Sequence, residues 1–116
     1  MTKQAMLDTL DKAYDEIMSR NKANSLYNLY EKKYKKLGEN EYMCDIEFIR
    51  AYSISKAYYF IKDNEPVESL YEYDISTSAK ALNNPSFQKA MLNETINILL
   101  SLGAVDYDDI QEGECF

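Results

Sequence analysis

Three carboxylates near the carboxyl end, Asp106, Asp108 and Asp109, are the residues whose types and spacing come nearest to a reactive or ligand-binding pattern. A calcium loop needs acidic or amide ligands at alternate positions, followed by glycine and then glutamate. Ile110 stands at the third ligand position and no glycine follows, so a solvated acidic segment is the plainer reading. The chain contains no histidine, which removes the commonest general base near neutral pH and the commonest metal ligand. Catalytic triads and helical Glu-x-x-His metal motifs are thereby excluded. Cys44 and Cys115 form no CxxC pair and cannot alone complete a tetrahedral zinc site. Gly38, Gly103 and Gly113 are too scattered for a phosphate-cradling loop. Paired carboxylates could move protons, but twenty acids in 116 residues make pairs by chance. The inventory points to a non-enzymatic protein with no cofactor and no metal.

What remains is recognition chemistry. Eleven tyrosines and no tryptophan is the oddest feature of the composition. Tyrosine buries a large ring while keeping a hydroxyl wet, which suits the rim of a core and equally a binding surface. Tyr27, Tyr30 and Tyr34 share one arc of a helix, and Phe48, Tyr52 and Tyr59 share one on another. The expected partner contacts are Tyr52 and Tyr59, with Asp106, Asp108, Asp109, Glu112 and Glu114 as an acidic complement.

The net charge of −7 is unevenly spread. No Lys or Arg follows Lys89, while Glu94 and the five carboxyl-terminal acids do. A second base-free block holds Asp63, Glu65, Glu68, Glu72 and Asp74. Eleven of the twenty acids lie in these blocks, leaving nine against all thirteen bases, so the remainder carries four positive charges. Lys32, Lys33, Lys35 and Lys36 are its densest cluster. Direct nucleic-acid binding is disfavoured at this net charge, whereas a basic partner protein would be attracted.

These residues must be positioned by helices. A hydrophobic share of 46% with 28% charged is the composition of a folded domain, and five Gly and Pro in all encode few turns. A chain of this length makes one domain that buries roughly two thirds of its unfolded surface. Tyr42 to Lys62 is apolar on nearly every side at about 100° per residue, with one stripe of Ile46, Ile49, Ala57 and Phe60 and another of Ala51, Ile54, Tyr58 and Ile61. It reads as the buried central helix, with Asn40 its cap.

Around it, residues 3 to 20 form an amphipathic helix capped by Thr2, and Ala23 to Leu37 a second that ends at Gly38. A short fourth helix runs from Val67 to about Asp74, and 75 to 84 is turn or broken helix. Asn84-Pro85 restarts a fifth, Pro85 to Leu102, which ends at Gly103. Nothing recurs at a repeat period. The expected architecture is all-α: a compact bundle of four to five helices around residues 42–62, occupying 1–103, followed at 104–116 by an acidic tail or a brief turn.

The amino terminus lacks the basic head and apolar run of a secretory signal, and no apolar run is long enough to cross a bilayer. A cytoplasmic location without membrane contact is expected. The functional expectation is a small acidic protein that binds another protein as an inhibitor or immunity factor. If the partner itself binds nucleic acid, the acids would act by DNA mimicry. The alternative is a self-assembling homo-oligomer closed by its tyrosines.

Overall fold

Thr2 sets the first helix. Its Oγ1 accepts the Ala5 N–H at 3.1 Å, and α1 runs Lys3–Arg20 with Leu7, Leu10, Ile17 and Met18 buried on one side. α2 spans Leu26–Tyr34 and buries Leu29 completely. α3 spans Ile46–Lys62, and α4 spans Pro85–Leu102. The computed structural model describes residues 1–34, 45–71 and 85–110, and no strand occurs among them. The protein is an all-α bundle, and its radius of gyration of 14.3 Å is near the ~13 Å of a compact domain of this length.

α3 is the hub. It packs chiefly on α4 and α1 and to a lesser extent on α2. Ala51 and Ala57 are fully buried and let the neighbouring helices approach, while Phe48, Ile54, Phe60 and Ile61 fill the space between them. At the α3–α4 contact the Met91 carbonyl accepts two buried hydroxyls, Ser53 Oγ at 3.2 Å and Thr95 Oγ1 at 2.8 Å. Neither hydroxyl is left unsatisfied, so both polar groups are tolerated inside the core. Phe48 joins three helices through its ring, 5.6 Å from Tyr30, 6.0 Å from Tyr52 and 5.8 Å from Phe87 between centroids.

All three long helices end the same way, with a left-handed residue that lets the chain close two further hydrogen bonds. Lys22 (φ 52°), Asn64 (φ 51°) and Gly103 (φ 76°) occupy that position. The following amides of Ala23, Glu65 and Ala104 bond back to the carbonyls of Met18, Phe60 and Leu99 at 2.9, 3.1 and 2.9 Å. Lys3 adds to the α3 terminus, its Nζ donating to the Lys62 carbonyl at 3.0 Å and to Asn64 Oδ1 at 3.2 Å.

Four expectations need correction. α3 is capped by Asp45, whose carboxylate accepts the Phe48 N–H at 2.9 Å, and not by Asn40. Ile46, assigned to a core stripe, is 79% exposed, because the contacts of α1 and α2 with this first turn fall on its neighbours Asp45, Glu47 and Phe48. α2 begins three residues later than Ala23, since the closing turn of α1 uses Ala23 and the Ser25 hydroxyl accepts the Asn28 N–H at 3.0 Å. The fourth helix is a 3₁₀ turn, Val67–Tyr71, anchored by fully buried Leu70. Asn40, Tyr42 to Cys44, Lys35 to Gly38, the segment 72–84, Glu112, Glu114 and Cys115 lie outside the described residues.

Candidate functional site

Tyr59 projects from the last turn of α3 and is 53% exposed. Its helical stripe has two fates. Phe48, three turns earlier on the same face, is covered by α2, whose ring and ion-pair contacts fall on Asp45, Glu47 and Phe48. Tyr52 is half-buried against Phe48 and Phe87, the latter at 6.4 Å, and belongs to the aromatic cluster that joins α2, α3 and α4. Tyr59 alone of the three is free to present its ring. The expected pairing of Tyr52 with Tyr59 therefore separates into a packing residue and an exposed one, about 10 Å apart along the helix at 1.5 Å per residue.

Beside Tyr59 lies a cleft of about 270 Å³ between α1 and α3. Its floor is core, Leu10 and Ile54, both nearly inaccessible. Its walls are Asp11 and Tyr14 from α1 and Tyr58, Tyr59 and Lys62 from α3. The rings of Tyr58 and Tyr59 stand 5.3 Å apart at 80°, forming a corner. Lys62 Nζ sits 5.7 Å from the centre of the Tyr59 ring, within the reach of a cation–π contact. Burial, then the charge of Asp15, then Tyr59 push the Tyr14 hydroxyl above its usual pKa, so it remains a neutral donor at physiological pH. Tyr58 belongs to an apolar stripe of the sequence, and it and Tyr14 are half-buried against the core. Helical spacing marks them as inward-facing but does not reveal the groove left between α1 and α3.

The carboxyl-terminal acids are placed by a fold-back. Val105 is buried and Ile110 half-buried, pinning a 3₁₀ turn, Tyr107–Asp109, to the bundle. Asp109 Oδ2 accepts the Asp106 N–H at 2.9 Å, and Asp106, Asp108 and Asp109 are all exposed. The segment expected to be a tail or a brief turn thus begins as a packed turn, which gathers these three acids. Asp109 also borders a shallow apolar groove with Lys3, Glu65 and Val67, near the carboxyl end of α3. Asp109 and Tyr59 line different depressions, and Asp106 and Asp108 line neither.

A second charged cluster is structural. Glu47 accepts Arg20 Nε and Nη2 at 2.8 Å each, Asn21 Nδ2 at 3.2 Å and Lys33 Nζ at 3.3 Å. The Arg20 hydrogen bonds, then that of Asn21, with Lys33 adding to them against a smaller effect of burial, hold its pKa down at about 2. Lys33, one member of the basic run 32–36, is thereby committed to joining α2 to α3. Among the described residues no group of three or more His, Cys, Asp or Glu could hold a metal ion, and no helix is long and apolar enough to cross a membrane. No protein-family model, curated protein or solved structure matches the chain.

Proposed function

We propose that the protein is a small non-enzymatic binding protein that inhibits or neutralises another protein by docking on the Tyr59 cleft. The observation that carries this reading is an exposed tyrosine at the mouth of a groove whose floor is already core. Large, stiff aromatic side chains next to a desolvated pocket are what dominate binding energy at protein interfaces. Asp106, Asp108 and Asp109 contribute steering, since exposed charges chiefly raise the rate of encounter with a basic partner. A nucleic-acid-binding partner would make the acids a phosphate mimic.

The test is capture from a cell lysate, read by mass spectrometry, with three baits: the native chain, Tyr59→Ala, and a chain with Asp106, Asp108, Asp109, Glu112 and Glu114 neutralised. One protein retained by the native chain and lost by Tyr59→Ala supports the reading. Retention by all three equally contradicts it.

Self-association is the second reading, and Tyr27, Ile46 and Tyr107, each more than 70% exposed, favour it. Sedimentation over a hundredfold range of concentration decides: a constant monomeric mass eliminates it.

A further inference from the structure

We infer that the cleft between α1 and α3 is a receptor for a single arginine side chain on the surface of the partner. This rests on the binding function proposed above and specifies its chemistry. Size is the first ground. At about 270 Å³ the cleft falls below the roughly 300–1,000 Å³ of sites that enclose cofactors or drug-sized ligands, and it matches one side chain.

Its walls give the second ground. The rings of Tyr58 and Tyr59 meet edge to face at 80° in the wall of the cleft, and an aromatic face carries the negative quadrupole that attracts a cation. Lys62 already holds its ammonium 5.7 Å from the Tyr59 centroid, so the molecule itself places a cation on this ring. Asp11 lines the opposite helix and forms no ion pair among the described residues. A planar guanidinium can stack on one ring and direct a fork of N–H donors at a carboxylate, which an ammonium cannot do. Asp15, whose charge is felt at the Tyr14 hydroxyl, adds a second negative group near the same wall. Asp11 is the one acid and Lys62 the one base of the lining, so a guanidinium that takes the place of the ammonium faces Asp11.

Lys62 is then an internal competitor. An incoming guanidinium displaces the ammonium from the Tyr59 face and leaves it to water, to which its flexible stem gives ready access.

The experiment titrates N-acetyl-arginine amide into the full chain carrying ring-labelled tyrosine, with N-acetyl-citrulline amide as the neutral isostere. Resonances are assigned through Tyr14→Phe, Tyr58→Phe and Tyr59→Phe. The expected result is a saturable shift of Tyr58 and Tyr59 with the arginine compound and none with citrulline. Lys62→Gln should tighten binding about threefold, the scale of one exposed cation–π contact, and Asp11→Asn should weaken it by a similar factor. Both substitutions are at the surface, and unchanged melting curves will show that the fold is retained. Equal response to citrulline, no saturable shift, or weaker binding by Lys62→Gln would overturn the inference. If Tyr59→Ala abolishes lysate capture while arginine leaves the rings unmoved, this inference fails and the binding function stands. If arginine saturates the cleft but Tyr59→Ala captures as well as the native chain, the binding function fails and the guanidinium site stands.

Discussion

Lys22, Asn64 and Gly103 adopt the same backbone conformation at the ends of three helices, and their side chains bear its strain differently. Gly103 has no Cβ, and one built there would meet nothing within 4 Å. Gly103→Ala should therefore cost about 1 kcal/mol from backbone conformation alone, measurable as a lower urea midpoint with an unchanged slope. Lys22→Gly should act in the opposite direction and stabilise by up to about 1 kcal/mol, because a β-carbon now occupies a left-handed position. Asn64 tolerates that region and also accepts Lys3, so Asn64→Gly should give no gain.

Glu47 is the residue whose ionisation the fold uses. Its pKa falls from 4.5 to about 2 on folding, so its contribution is fully present above pH 4.5 and disappears as pH drops through about 2. Glu47→Gln should lower the melting temperature at pH 7 and flatten its decline between these two values. Melting curves of both proteins across that interval check it.

At the scale of elements, α1 and α4 were legible in the sequence to the residue. Lys3–Arg20 and Pro85–Leu102 carry an apolar arc, a capping hydroxyl or proline at the start and, for α4, a glycine after the end. Local chemistry specifies these boundaries, and local chemistry is what a sequence displays. The start of α3 was misplaced because Asn40 and Asp45 are both good caps, and choosing between them depends on Glu47 meeting Arg20 and Lys33 from other helices. Val67–Tyr71 is 3₁₀ rather than α, with Leu70 its one buried residue. The cleft was the least legible feature. Tyr58 and Tyr59 adjoin in sequence, but Asp11 and Tyr14 join them only through the packing of α1 on α3.

Two substitutions test the interhelical contacts. Leu99 is completely buried, and Leu99→Ala should cost about 2–5 kcal/mol. Ser53→Ala should cost about 1 kcal/mol for its bond to Met91, whereas Ser53→Val adds overpacking of about 1–3 kcal/mol at a position with no exposed surface. Urea unfolding in which Val is as mild as Ala would show that the α3–α4 contact is looser than its burial implies.

For the whole molecule, the charge asymmetry seen in the sequence acquires a partial layout. Asp106, Asp108 and Asp109 stand on a turn pinned by Val105, while Lys33 and Arg20 are bound to Glu47. Arg20 and Lys33 are paired with Glu47 and Asp45 and cancel locally, so the net charge of −7 is what acts at a distance. Association with a basic partner should accordingly slow with added salt while dissociation changes little.

The proposed binding function turns on Tyr59. The most direct measurement is the affinity of the captured partner for the native chain and for Tyr59→Ala, by calorimetry, with melting curves to confirm that the fold is intact. The account expects a loss of roughly thirtyfold or more, the signature of an aromatic anchor worth about 2 kcal/mol. An affinity unchanged by the substitution would contradict it and move the interface elsewhere on the molecule.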